Sequence, residues 1–423
     1  MDRLIIEGPS KMSGEVAVSS AKNAYLPILA ATLVTSKPVH LKNLPDLKDI
    51  KTMIKLLTHL GVVVETKGDV TSFDSSKILS NEATYDLVKT MRASILVLGP
   101  ILGRFLESKI SLPGGCAIGA RPIDLHLKNL KKMNANITIE SGYVYAKTNG
   151  LKSADITLNF PSVGATENLM MAALFADGET VIENAAMEPE VEDLANFLIA
   201  MGAKIQGSGT SRLSIKGNMK ADDFKEVTYE AIGDRIEAGT LIMAALITNS
   251  KIKVKNINPR HLSVVLHVLE EMGAAFEIGK NFITVKPSKL KWSKIHTAPY
   301  PGFPTDLQAQ IMTLATKAEG ASIIREEIFE NRFMHVPELV RLGAEIELIG
   351  NAAIIQGNTK LTGCPVMCTD LRASAALVLA AMSAEGVTDV QRVYHLDRGY
   401  ERLEEKLKML GVKIERSNPG EYL

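Results

Sequence analysis

Apolar and polar positions follow one another along this chain in a block that recurs six times. Each block contains a segment of small apolar residues at helical spacing. These segments begin near Lys22-Asn23-Ala24, Arg92-Ala93-Ser94, Thr166-Glu167-Asn168, Arg235-Ile236-Glu237, Leu307-Gln308-Ala309 and Arg372-Ala373-Ser374. A short turn and a β-rich stretch follow, such as Pro38-Val39-His40-Leu41 or Ala321-Ser322-Ile323-Ile324. A second helical pattern then runs to a glycine or asparagine: Gly61, Asn134, Gly202, Gly273, Gly343 and Gly411. These two residue types most easily take the left-handed conformation that ends a helix, so each position is a predicted C-cap. Beyond the cap lies an alternating stretch, as at 344–356, which predicts a hairpin. Each unit of about 70 residues reads strand, helix, strand, helix, strand, strand, which makes the fold class α/β. The period exceeds that of common solenoids and predicts a subdomain copied six times.

The chain ends sharpen the domain reading. Units three, four and five close on similar strands: Arg212-Leu213-Ser214-Ile215, Phe282-Ile283-Thr284-Val285 and Ala353-Ile354-Ile355-Gln356. Unit six stops at Val412-Lys413-Ile414-Glu415 and lacks that partner, whereas a matching strand, Leu4-Ile5-Ile6-Glu7, stands at the start. The N-terminal strand is therefore expected to complete the last unit. This predicts one domain over residues 22–233, made of units one to three. The second is assembled from 1–21 and 234–423, with two crossings near Ser20 and Gly233 that suit a hinge.

Composition narrows the function classes. The 423 residues are 46% hydrophobic and 23% charged, with 48 basic and 48 acidic side chains. A balanced chain has no overall field to draw nucleic acid or an anionic membrane, so any anion site must be built locally. Three cysteines (Cys116, Cys364, Cys368) cannot make a disulfide framework. The first residues lack the pattern of a secretory signal, and no apolar run approaches the ~20 residues needed to span a bilayer. A cytoplasmic protein is expected. The eight histidines show no metal spacing, and neither a Walker loop nor a strand-anchored G-x-G-x-x-G is present. No cofactor and no metal are expected.

The candidate chemistry begins in unit two, where the crossover after Lys109-Ile110-Ser111-Leu112 enters Pro113-Gly114-Gly115-Cys116-Ala117-Ile118-Gly119-Ala120-Arg121-Pro122. Glycines at this density suit a mobile lid, and they make Cys116 an accessible thiol with Arg121 nearby. Cys364 and Cys368, spaced C-x₃-C around a proline in a predicted strand, read instead as small hydrophobes. Lys22, Arg92, Arg235 and Arg372 stand at equivalent helix starts. A cation there opposes the helix dipole, which makes sense when several helices point into one anion site. Asp234 beside Arg235 leaves an ion pair open as an alternative. Asp306, delivered by the stiff loop Pro299–Thr305, is either a helix cap or a general base, and Asp370 before Arg372 has the same two readings. Arg332 and Arg398 lie in strand-to-helix turns equivalent to the Cys116 loop.

Taken together, 111–126, Lys22-Asn23-Ala24, 88–94, Ser162-Val163-Gly164-Ala165-Thr166, Phe303-Pro304-Thr305-Asp306, 330–335 and 395–402 resemble the UDP-N-acetylglucosamine enolpyruvyl transferases over essentially the whole chain. The resemblance implies two inside-out α/β domains, each of three βαβαββ units. It implies transfer of enolpyruvate from phosphoenolpyruvate to the 3-hydroxyl of UDP-N-acetylglucosamine, the step that opens bacterial peptidoglycan synthesis. It makes Cys116 the proton donor to the methylene carbon, the residue that fosfomycin alkylates, and Asp306 the acceptor of the sugar hydroxyl proton. Lys22, Arg121 and Arg398 would hold phosphate, with Arg332 and Arg372 near the carboxylate. Asn23, Arg92, Arg121, Pro122, Ile123, Asp124, Leu125, Ser162, Val163, Gly164, Asp306 and Ile328 would contact the nucleotide sugar, and Asp370 joins the substrate-binding set. Some members carry a lysine just before Ser-Val-Gly, where this chain has Asn159-Phe160-Pro161. The related 5-enolpyruvylshikimate-3-phosphate synthases lack the cysteine loop. A catalytically silent binding protein is the third alternative.

Overall fold

The first helix of each unit is apolar on every side, and a helix of that kind is stable only when surrounded by protein. In the structure, a computed structural model describing residues 2–112 and 123–417, these helices are the buried ones. Lys22–Ala31, Val163–Ala173, Arg235–Ile247 and Leu371–Ser383 have nearly every residue out of solvent. In units two and five the helix is entered through a 3₁₀ turn, Arg92–Val97 into Leu98–Phe105 and Thr305–Leu307 into Gln308–Ala315. The second helices, such as Lys48–Leu60 and Ser263–Glu271, bury one stripe only. Small residues let the inner helices approach closely: a Cβ on Gly99 would lie 2.3 Å from the Asn168 carbonyl oxygen.

The described residues form six four-stranded sheets with one shared pattern. An edge strand runs parallel to its neighbour, and the next two strands are antiparallel, as in Asp155–Thr157, Glu179–Glu183, Arg212–Lys216 and Lys204–Gln206. The predicted caps hold: Gly61 has φ 109° and Asn134 φ 68°, and Gly202, Gly273, Gly343 and Gly411 are likewise left-handed. Three sheets borrow a strand from a distant part of the sequence. Arg3–Gly8 lies between Gly386–Gln391 and Lys413–Ser417. Ser13–Ala17 pairs parallel with Lys251–Lys255, and Val227–Tyr229 with Val39–Lys42.

Two units, each with its own apolar core, divide the described chain into 2–19 with 233–417, and 20–112 with 123–232. Among the described residues, the chain passes from one unit to the other between 19 and 20 and between 232 and 233. In the first unit Asp234 N–H donates to the Ser19 carbonyl at 2.9 Å, and in the second Ala21 N–H donates to that of Ile232 at 2.7 Å. Among the described residues, no helix is long and apolar enough to cross a membrane.

Candidate active site

Cys116, Arg121 and Pro122 lie outside the described residues, so the candidate site is built from the others, unit by unit. In the unit of 20–112 and 123–232, Lys22 opens its helix and is buried, with Nζ 3.3 Å from Asp49 Oδ2. Asp49 comes from the first turn of the next helix, where a carboxylate is favoured by the dipole. Asn23 is half-buried beside Lys22, and Arg92 is half-buried at its 3₁₀ start. Ser162 caps the helix Val163–Ala173, its Oγ accepting from Ala165 N–H at 3.3 Å, with Gly164 in its first turn. A Cβ on Gly164 would sit 3.4 Å from His126 Cε1. His126 Nδ1 pairs with the Asn168 side-chain amide at 3.0 Å. Burial first, then Arg92, lowers its pKa to about 4, so the ring is neutral. Ile123 is buried, Leu125 half-buried and Asp124 exposed at the start of the helix Asp124–Lys132. Phe160 is exposed.

The other unit brings three distant candidates into one array. Arg332 Nη2 donates to Asp306 Oδ1 at 2.8 Å, and Arg372 Nη2 to Asp306 Oδ2 at 2.8 Å. Both guanidiniums are 4% exposed, and buried cations persist only when paired. For Arg372, burial works against the charged form, but Asp306 outweighs it and the pKa stands above its ordinary value. Arg372 lies over the Tyr400 ring and Arg332 over Phe329, with guanidinium-to-centroid distances of 5.5 and 5.3 Å. Arg372 Nη1 is buried and has no hydrogen-bond partner among the described residues.

The two readings of each aspartate separate here. Among the described residues no side chain caps the 3₁₀ turn Thr305–Leu307 or the helix after it, and the Asp306 carboxylate accepts from two arginines. Asp370 does cap, accepting from Arg372 N–H at 2.8 Å and Ala373 N–H at 3.1 Å. Asp234 also caps its helix, and Arg235 lies over the Tyr300 ring at 5.5 Å. Arg398 ends the 3₁₀ helix Val393–Arg398, half-buried. Cys364 and Cys368 flank the strand Pro365–Met367; Cys368 is in the core and burial pushes its thiol up to about 12.

Two positioning residues were invisible to the sequence reading. Buried Glu326 accepts from Ile328 N–H at 2.8 Å and Phe329 N–H at 3.1 Å through one oxygen, and from the Thr305 hydroxyl at 2.8 Å through the other. It thereby ties the turn carrying Ile328 and Arg332 to the residue preceding Asp306. Arg416, from the last strand, grips Asp397 with both Nη atoms at 3.2 and 2.7 Å and fixes the residue before Arg398. No group of three or more His, Cys, Asp or Glu among the described residues is placed to hold a metal.

The array is a pair of buried guanidiniums around one partly exposed carboxylate, and planar guanidinium groups match carboxylate and phosphate geometry. The profile of EPSP synthase (3-phosphoshikimate 1-carboxyvinyltransferase) matches residues 6–407. The chain is 56% identical over 420 residues to UDP-N-acetylglucosamine 1-carboxyvinyltransferase of Wolinella succinogenes, covering 98% of this chain and 99% of that one. It is 53% identical over 417 residues to the protein of that name from Geotalea daltonii, with the same coverage. The solved enolpyruvyl transferase NikO from Streptomyces tendae superposes with a TM-score of 0.89 at 25% identity, over 98% of this chain and 99% of that one. EPSP synthase from Acinetobacter baumannii, at 18% identity and TM-score 0.76, covering 99% of this chain and 100% of that one, shares the fold. The chain belongs to the EPSP synthase family and, within it, to the UDP-N-acetylglucosamine 1-carboxyvinyltransferases.

Proposed function

We propose that this enzyme transfers the enolpyruvyl group of phosphoenolpyruvate to the 3-hydroxyl of UDP-N-acetylglucosamine and releases phosphate. This would be the entry step of peptidoglycan synthesis, carried out in the cytoplasm. The observation that carries the reading is the pair of buried guanidiniums converging on Asp306, with Arg372 Nη1 having no acceptor among the described residues. The near full-length similarity to transferases named for that acceptor supports it.

In this reading Arg332 and Arg372 receive the donor carboxylate, while Lys22, Arg121 and Arg398 receive its phosphate. Fixed cations of this kind stabilise charge that moves during addition. Asp306 accepts the proton of the sugar hydroxyl as its oxygen bonds to C2 of the donor, and the Cys116 thiol gives a proton to C3. Phosphate then leaves C2, C3 returns a proton, and the double bond re-forms. Asn23, Arg92, Ile123, Asp124, Leu125, Ser162, Val163, Gly164 and Ile328 contact the nucleotide sugar, and Asp370 holds the helix start that presents Arg372.

The test is product analysis by NMR after incubation with phosphoenolpyruvate and UDP-N-acetylglucosamine. The expected product is a nucleotide sugar carrying vinyl protons on an ether at its 3-position, with an equivalent of phosphate. An unchanged nucleotide sugar contradicts the proposal. Fosfomycin is expected to inactivate the enzyme, and full inhibition of Cys116→Ser would remove Cys116 as its target.

A further inference from the structure

The two ends of the Asp306 array are built differently. Arg372 belongs to a buried helix and Arg332 to a turn held by Glu326, and both guanidiniums lie against aromatic rings. The Asp306 side chain is the more accessible partner, 27% exposed against 4% and 5% for Arg332 and Arg372. Each of its oxygens accepts from a different guanidinium at 2.8 Å. A carboxylate with charge-assisted bonds on both oxygens is a poor base. It also occupies the N–H groups that a donor carboxylate needs. Arg372 Nη1 offers a further donor with no partner among the described residues.

We propose that Asp306 is a built-in competitor for the donor anion: Arg332 and Arg372 keep its carboxylate occupied until phosphoenolpyruvate claims them, and that exchange frees it to act as base. This rests on the donor assignment made above. The arginines are fixed and the carboxylate is the accessible member, so the carboxylate is the group that moves. The base is then competent only when the electrophile is present. Linkage makes the competition reciprocal: whatever weakens the hold of Asp306 on the arginines strengthens the hold of the donor.

The test is calorimetric binding of phosphoenolpyruvate to the wild type, Asp306→Asn and Asp306→Ser, without acceptor, after thermal melts establish that each variant is folded. Turnover is lost in both variants if Asp306 is the base, whether or not it competes. Competition adds a result that a base role alone does not give: donor affinity rises, by about tenfold (a 1.4 kcal/mol change). Unchanged or weaker binding overturns the proposal. The wild type gives the same answer if neither variant folds. In a crystal soaked with phosphoenolpyruvate, at least one Arg–Asp306 contact should open beyond hydrogen-bond reach, and retention of both overturns the proposal. No binding of phosphoenolpyruvate to the wild type would remove the donor assignment itself, a result distinct from unchanged affinity in the variants.

Discussion

The starts of the helices Lys22–Ala31 and Leu371–Ser383 occupy the same slot in units one and six, and both carry a buried cation. At the first, an ammonium stands 3.3 Å from Asp49. At the second, two guanidiniums share Asp306 at 2.8 Å each. An ammonium is a compact charge on a flexible stem, which can turn toward a new anion with little change in its surroundings. A guanidinium presents its N–H groups in fixed directions and matches a planar carboxylate. One repeated fold position thus carries a point charge in one unit and a directional guanidinium in the other.

The largest expected break of this comparison is Asp306→Ala. Two buried guanidiniums lose a counter-charge, so unfolding in denaturant should come about 3–5 kcal/mol more easily. Phosphate release should fall about 10²–10⁴-fold. Asp49→Ala should cost less, about 1–3 kcal/mol, and equal losses would mean that the two helix starts are not different in kind.

Acidity separates the two parts of the described chain that have their own cores, 2–19 with 233–417 and 20–112 with 123–232. Glu237 is raised to about 7 by burial, against the pull of Lys406. Asp193, in the other unit, is raised to about 6 by burial, against its hydrogen bonds from Tyr229 and Ile232. A carboxyl raised in the fold gives stability that is complete below its unfolded pKa and is lost as pH climbs through its folded value. Asp193 should therefore cost stability between its ordinary value of 3.8 and about 6, and Glu237 between 4.5 and about 7. Each loss is on the order of 3 kcal/mol. Thermal melts across pH should show Asp193→Asn flattening the lower window and Glu237→Gln the upper. Slopes unchanged in both variants would contradict the assignment.

Much of this architecture was legible in the sequence, for physical reasons. Gly61 and Asn134 announce helix ends because few other residues accept positive φ. The all-apolar run of Leu371–Ser383 announces a buried helix. The borrowed strand Val227–Tyr229 was not legible, because parallel pairing is made by backbone groups that carry no side-chain signature. The Asp306 array was legible only as residue types. That Arg332 and Arg372 meet on one carboxylate depends on how units five and six pack. Glu326 was missed because Arg325-Glu326-Glu327 reads as a solvated charge run, although its middle residue is buried.

Glu326 supplies the third prediction, since its staple holds the Arg332 turn. Glu326→Gln keeps the shape but weakens three accepted bonds, and should cost about 1–3 kcal/mol with a matching rise in the donor KM. A purely structural role would lower stability and leave KM unchanged. The smallest effects are expected at the caps. Asp370→Ala loses two short bonds and should cost about 2 kcal/mol, whereas Ser162→Ala loses one long bond and should cost about 0.5 kcal/mol. Denaturant titration of the two variants side by side would show whether the ranking holds.

The account stands or falls on what the Asp306 array serves. The most direct measurement is phosphate release from phosphoenolpyruvate by the wild-type enzyme, run in parallel with UDP-N-acetylglucosamine and with shikimate 3-phosphate as acceptors. Release with the nucleotide sugar alone is the predicted result. Release only with the shikimate acceptor, or with neither, would contradict it.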